Sequence, residues 1–68
     1  MPPNYNNLWK LLIDKDLKRT DLIDLADISS NVLARMGKNE PVSLESLEKI
    51  CIALDCSIQD VITIDKET

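Results

Sequence analysis

Apolar residues near the start of the chain recur at helical spacing. The segment LWKLLIDK places three leucines on one buried helical face: Leu8, Leu11 and Leu12. Asparagine is a preferred N-cap residue, so we expect a first helix to begin after Asn6 or Asn7. Trp9 and Ile13 form a second apolar line on the same short helix. At least one of these two side chains should therefore lie near the surface.

A second helical pattern covers about residues 19–26 and points Leu22 inward. Its start is weakly marked, because Lys18 is a poor N-cap residue and Thr20 is a plausible alternative. Asp27 should end this helix in a tight turn, since aspartate accepts left-handed backbone angles better than most residues other than glycine.

A third helix is predicted over SNVLARM, with Ser29 as its N-cap and Gly37 as its C-terminal cap residue. The 3.6-residue period puts three apolar side chains on the side that can be buried: Val32, Leu33 and Met36. We call the four residues on the opposite side the outer stripe: Ser30, Asn31, Ala34 and Arg35. The outer stripe contains no acidic residue, although the chain has 12 aspartates and glutamates.

The second half of the chain predicts a loop and two further helices. Pro41 holds Glu40 away from helical angles, so KNEPV should form the loop. Ser43 is the expected cap of a fourth helix, LESLEKICIALD. The core face of that helix comprises Leu44, Leu47, Cys51 and Leu54, with Ile50 alongside. Ser57 should cap a last short helix, IQDVI, although the alternation of VITID is also typical of a short strand.

With 68 residues, 44% of them apolar, the chain suits one small domain, which we assign to residues 1–68. Tyr5 and Trp9 are the only aromatic residues, so the core should be aliphatic. No apolar run reaches the roughly 18 residues of a membrane span, and the polar start MPPNYNN does not have the form of a signal peptide. We therefore expect a soluble, cytoplasmic protein.

Cys51 and Cys56 are the only cysteines, and they do not predict a metal site or a disulfide. The chain has no histidine and a zinc site needs about four suitable ligands, so we expect neither metal nor cofactor. Five residues apart, the two cysteines are also poorly placed for a disulfide. We interpret Cys51 as a small buried residue on the fourth helix and Cys56 as part of the following turn, in a reducing compartment.

The net charge of −4 argues against a nucleic-acid partner until its distribution is considered. Residues 15–39 carry five cations and four anions, which gives +1. Residues 40–68 carry two cations and seven anions, which gives −5, while Lys10 and Asp14 cancel in residues 1–14. The acidity therefore belongs mainly to the C-terminal half of the chain.

The order of these elements resembles a known family. The stretch TDLIDLADISSNVLARMGKNEPVSLESLEKICIALDC is similar to the Cro/lambda-repressor-like (XRE-type) helix-turn-helix regulators, especially their small single-domain bacterial members, from about Leu8 to Ile62. The resemblance implies an all-α fold: a compact five-helix lambda-repressor-like DNA-binding domain with its helix-turn-helix at about residues 19–37. Asp27 stands where glycine is usual in the family's turn, and Ile23 stands where alanine is common.

The resemblance implies a sequence-specific DNA-binding transcriptional regulator, with repression as the expected role and helix three in the major groove. In the outer stripe, Asn31 suits adenine and Arg35 suits guanine or a phosphate. Ser30 can pair with several base edges, and the Ala34 methyl suits thymine. The expected phosphate contacts are Lys18, Arg19, Ser29, Lys38 and Asn39. Alternatively, Arg35 is a solvated surface arginine and Ser29 acts only as a cap.

The implied partner is double-stranded DNA, bound by a homodimer because such operators have two-fold geometry. The candidate dimer contacts are Val61, Ile62, Ile64 and Trp9. The alternative is a protein-interaction module on the same fold, such as an antitoxin-like or anti-repressor subunit. The net acidity and three apolar residues favour it: Trp9, Ile23 and Leu25. We do not expect an enzyme, because histidine, a metal cluster and a glycine-rich phosphate loop are all missing. Neither a membrane nor a small-molecule ligand is expected.

Overall fold

Residues 3–64, the part of the chain that the computed structural model describes, fold into four α-helices, one turn of 3₁₀ helix and a two-stranded ribbon. The helices are α1 (Asn6–Asp14), α2 (Asp21–Leu25), α3 (Ser30–Gly37) and α4 (Leu44–Leu54). The 3₁₀ turn spans Ile58–Asp60, and strands β1 (Pro3–Asn4) and β2 (Thr63–Ile64) pair antiparallel. Among these residues, no helix is long and apolar enough to cross a membrane.

The predicted fifth helix is wrong, because the segment after Ser57 forms only the 3₁₀ turn. The Asp60 N–H donates to the Ser57 carbonyl (2.9 Å), an i→i+3 bond, and the Asp60 carboxylate accepts the Ser57 N–H (3.1 Å). The strand that the alternation of VITID allowed is present at Thr63–Ile64, while Asp65 lies outside the described residues. The chain leaves helical geometry here and brings Thr63 opposite Asn4.

The core is aliphatic around one tyrosine. Seven large side chains among residues 3–64 are essentially inaccessible to solvent: Tyr5, Leu8, Leu12, Leu22, Met36, Ile50 and Val61. The Tyr5 hydroxyl donates a hydrogen bond to the Glu40 carbonyl (2.7 Å), which gives the buried phenol a partner. Ser43 caps α4 as predicted, but the placement of Leu44 on the core face is wrong, since 64% of its surface is exposed. Leu44 is the first residue of α4, and the helix meets the core only from Leu47 onward.

The start of α1 also differs from the prediction. The helix begins at Asn6 with Tyr5 in the N-cap position, so an asparagine cap at Asn6 or Asn7 is wrong. Tyr5 takes this position because its side chain is drawn into the core while its carbonyl accepts the Trp9 N–H (3.1 Å). On the second apolar line of α1, Ile13 is exposed and Trp9 is half-buried, as predicted.

α2 is shorter at its start than the predicted helix. It begins at Asp21 rather than at residue 19, and Thr20 makes no side-chain capping bond. The Asp21 carboxylate instead reaches back to the Lys18 N–H (2.8 Å), so an acid inside the helix satisfies a donor in front of it. Leu22 is fully buried, as its inward position predicted.

Each α-helix ends one or two residues before an aspartate or asparagine in the left-handed conformation. The four residues, in chain order, have φ of 58°, 54°, 58° and 52°: Asp16, Asp27, Asn39 and Asp55. The predicted turn at Asp27 is confirmed. The predicted cap at Gly37 is wrong, because α3 continues through Gly37 and the left-handed position falls on Asn39. Asparagine adopts this conformation at low cost, so it can end the helix without glycine.

The two cysteines are free thiols at the end of α4. As predicted, Cys51 lies on α4 and Cys56 in the turn behind it, where its N–H donates to the Cys51 carbonyl (3.0 Å). Burial, followed by smaller effects of Cys51 and Asp60, raises the pKa of the Cys56 thiol from 9.0 to about 11. Within residues 3–64, no three His, Cys, Asp or Glu side chains converge as a metal site.

Replacing Gly37 by alanine should stabilise the fold. Alanine loses less backbone entropy than glycine in a helix, and a Cβ at Gly37 would meet no atom closer than the Arg19 Nη1 at 3.9 Å. We expect the free energy of unfolding to rise by roughly 0.5–1 kcal/mol in thermal or urea unfolding. The contrasting variant Asn39→Ala should lower it by about 1 kcal/mol, because alanine must then adopt the left-handed conformation. A lower midpoint for Gly37→Ala would contradict this helix end.

Cys56 should react slowly with iodoacetamide in the folded protein. At pH 8 its raised pKa lowers the thiolate fraction by about a hundredfold. The greater nucleophilicity of a more basic thiolate recovers about tenfold, so the net reaction should be roughly tenfold slower than in the urea-unfolded chain. Peptide mapping by mass spectrometry measures both rates for Cys56. Equal rates would show that burial does not protect this thiol.

Candidate nucleic-acid interface

α3 is fixed to the fold by its cap and by its buried side. The Ser29 Oγ accepts the Val32 N–H (3.1 Å), which satisfies one of the free donors at the helix start, so the predicted cap is confirmed. Met36 is fully buried near the other end of the helix, and Ile28 is buried in the turn that precedes it. These contacts determine which side of α3 faces solvent.

The outer stripe is exposed along its whole length. Ser30, Asn31, Ala34 and Arg35 are all exposed, whereas Val32 and Leu33 are half-buried. The exposed face thus offers a hydroxyl, an amide, a methyl and a guanidinium group, and α3 itself contains no acidic residue. These are the group types that recognise base edges in a DNA groove.

Arg35 lies beside a carboxylate that the sequence analysis did not assign to the site. Its Nε is 4.0 Å from Oε1 of Glu40, and the side chains are 55% and 49% exposed. The left-handed turn at Asn39 folds the chain back, so that the Glu40 N–H donates to the Arg35 carbonyl (3.0 Å). The pair joins residues on either side of a helix end, and helical periodicity therefore gives no signal for it.

Arg19 is stacked on an aromatic ring next to α3. Its guanidinium carbon lies 4.0 Å from the centroid of the Trp9 ring, a cation–π contact. Tyr5 lies beside Trp9, with ring centroids 6.4 Å apart and planes tilted by 52°. The Arg19 Nη1 is also within 3.9 Å of the position that a Cβ on Gly37 would occupy. The stack therefore places a predicted phosphate-binding cation beside the C-terminal turn of α3, a role for Trp9 that the sequence analysis missed.

The other predicted phosphate contacts are exposed at the ends of α2 and α3. Lys38 and Asn39 directly follow α3, and so share its C-terminal end with Arg19. Ser29 lies at the opposite end, where its oxygen accepts a helix N–H and its own proton remains available to a phosphate oxygen. Lys18 lies ahead of α2, and its backbone N–H is bonded to an α2 carboxylate.

The predicted dimer contacts are only partly accessible. Val61 is fully buried, so its assignment to a dimer surface is wrong: its side chain completes the core of its own chain. Ile62 is half-buried, whereas Ile64 on β2 is 66% exposed. Trp9 is half-buried, with Arg19 stacked over its ring. Ile64 is therefore the most accessible of the four candidates.

Comparison with known proteins supports the predicted resemblance. A family model described as the Cro/C1-type helix-turn-helix DNA-binding domain matches residues 7–67. The fold is similar to a solved structure, "Crystal structure of transcriptional regulator VanUg, Form II", with a TM-score of 0.87 and 45% sequence identity. That similarity covers 91% of this chain and 83% of the other. No curated protein sequence matches the chain.

Proposed function

The chain belongs to the Cro/C1-type helix-turn-helix DNA-binding family, and we propose that it is a sequence-specific transcriptional regulator whose residues 1–68 act as one DNA-binding domain. In this proposal α3 lies in the major groove, and the protein represses transcription by occupying its operator. The observation that carries the proposal is the outer stripe, an exposed, acid-free face on a capped helix in a chain of net charge −4. A family resemblance supports the fold, but only such a site supports the function.

Each residue of the outer stripe suits a base edge. The Asn31 amide offers a donor and an acceptor, which match N7 and the amino group of adenine. The terminal nitrogens of Arg35 match O6 and N7 of guanine. The Ser30 hydroxyl can pair with several edges, and the Ala34 methyl can contact the thymine methyl.

Residues around the outer stripe would fix its register on the phosphate backbone. These contacts are Lys18, Arg19, Ser29, Lys38 and Asn39. Arg19 has the strongest support, because its stack on Trp9 holds the guanidinium beside the end of α3. A guanidinium that is already restrained loses less side-chain entropy when it binds a phosphate. Such contacts give affinity that falls with salt and carries no sequence preference.

A groove between α2 and α4 favours protein recognition as a second candidate function. Its lining includes the exposed Leu25 and Ile52, together with Ala26 and Ala53. Exposed apolar groups of this kind mark protein-contact surfaces, as an antitoxin-like or anti-repressor subunit would need. Salt separates the two functions, since DNA binding weakens steeply with added salt and apolar docking does not.

Selection of genomic DNA fragments by the purified protein tests the proposed function. A regulator should enrich one palindromic sequence, retain it at low salt and release it as salt rises. Recovery without any sequence preference would contradict sequence-specific regulation, and no recovery at low salt would favour the protein-interaction function.

Asn31→Ala and Arg35→Ala should each weaken binding to the selected sequence by roughly 1–3 kcal/mol and relax the preference at one base pair. Lys38→Ala should instead weaken binding to all sequences alike and reduce the salt slope by about one. Gln59→Ala and Lys10→Ala are matched controls, because they remove an exposed amide from the 3₁₀ turn and an exposed cation from α1. If both outer-stripe variants kept wild-type affinity and melting temperature, α3 would not be the reading helix.

The proposal includes a homodimer, with Ile64, Ile62 and Trp9 as its remaining candidate contacts. One small module with few nearby cations can neutralise few phosphates, whereas two copies on half-sites about 34 Å apart would double the contacts. Sedimentation at micromolar concentration should show wild-type dimers on operator DNA and weaker association for Ile64→Asp. Ile13→Asp, which changes an exposed isoleucine of α1, is the control. A wild-type protein that stays monomeric on its operator would rule out the dimer.

A further inference from the structure

The backbone of Glu40 is held in place from several sides. Its N–H donates to the Arg35 carbonyl (3.0 Å), its carbonyl accepts the Tyr5 hydroxyl (2.7 Å), and Pro41 restricts its backbone angles. Tyr5 is completely buried, so the anchor of this loop is part of the core. Burial also raises the pKa of Tyr5, which keeps the hydroxyl protonated as a donor at neutral pH.

The Glu40 carboxylate lies beside the Nε of the Arg35 guanidinium. The 4.0 Å contact involves Nε, which leaves the two terminal nitrogens for another partner. An exposed arginine otherwise samples many rotamers, and a carboxylate on a fixed backbone restricts that sampling. An exposed pair at this distance adds little to the stability of the fold, and its small interaction energy biases the orientation of Arg35 without locking it.

The same carboxylate discriminates between the two kinds of group that Arg35 can bind. A phosphate drawn to Arg35 would approach Glu40, and the two negative charges would repel each other. The edge of a guanine carries no net charge, so Glu40 repels it much less than it repels a phosphate. Glu40 therefore favours a base edge over the phosphate backbone as the partner of Arg35, at the cost of weaker attraction to DNA of any sequence.

We propose that Glu40 is a positioning residue for base reading: anchored by the Tyr5 hydroxyl, it orients the Arg35 guanidinium and keeps it from the phosphate backbone. This inference rests on the proposed function of α3 and goes beyond it, because it assigns selectivity to an acidic residue outside the recognition helix.

Glu40→Gln tests the inference, because it removes the charge and keeps the size of the side chain. The affinity for the selected operator is compared with the affinity for operators altered at one base pair. That base pair is the one at which Arg35→Ala relaxes the sequence preference. We expect Glu40→Gln to bind non-operator DNA more tightly and to lower discrimination at that base pair roughly threefold to tenfold. Glu45→Gln is the matched control, because it removes another exposed carboxylate with a 4.0 Å ion pair, to Lys49. The control should leave discrimination unchanged.

Two further variants separate positioning from charge alone. Tyr5→Phe removes the anchor without changing any charge. If its melting curve shows that the variant is folded, it should show part of the loss of discrimination that Glu40→Gln causes. Glu40→Gln added to Arg35→Ala should cause no further loss, because the two residues act as one unit.

The outcomes distinguish this inference from the function on which it rests. If Arg35→Ala lowers discrimination while Glu40→Gln does not, the base-reading function stands and the positioning role is overturned. An equal effect of Glu40→Gln with and without Arg35 would also overturn it, since Glu40 would then act through its charge alone. If Arg35→Ala leaves discrimination intact, the base-reading role of Arg35 fails first and the inference fails with it.

Discussion

The architecture depends on reversing the chain after every helix with almost no glycine. Within residues 3–64, each of the four helices is followed by an aspartate or asparagine with φ between 52° and 58°, while Gly37, the only glycine, stays inside α3. Left-handed geometry costs less for these two residue types than for other non-glycine residues. The turn at Asp27 sets α3 against α2, and the turn at Asn39 returns the chain to Arg35. The turns on either side of α3 therefore determine which elements lie next to the helix.

The segment before the helix-turn-helix supplies the supports of the candidate interface. Tyr5 holds the Glu40 carbonyl, and Trp9 carries the Arg19 guanidinium on its ring. The two aromatic rings also lie beside each other, so one cluster connects the core to the Arg19 guanidinium and to the backbone of Glu40. An aromatic side chain restrains its partner at low entropic cost, because it has few rotatable bonds of its own. In a chain whose core is mainly aliphatic, the two aromatic residues thus both contact residues of the candidate interface: Tyr5 contacts Glu40, and Trp9 contacts Arg19.

The sequence by itself determined the features that depend on a few neighbouring residues. The Ser29 and Ser43 caps, the reversal at Asp27 and the outer face of α3 follow from side chains within about one helical turn of the groups they affect. Local rules were wrong at two helix ends: the asparagine cap predicted for α1 and the Gly37 cap predicted for α3. Both glycine and asparagine accept left-handed angles, and the position two residues beyond Gly37 was the one that the fold used.

The tertiary structure decided which of these side chains meet. The Tyr5 hydroxyl and the Glu40 carbonyl are 35 residues apart in the chain, so no spacing in the sequence predicts their bond. The same holds for Arg19 on Trp9 and for the burial of Val61, which the sequence analysis had placed on a dimer surface. Residue type and periodicity determine whether a side chain can be buried, whereas the packing of distant elements determines which partner it has. The exposed face of α3 was therefore predictable, and the groups that lie beside it were not.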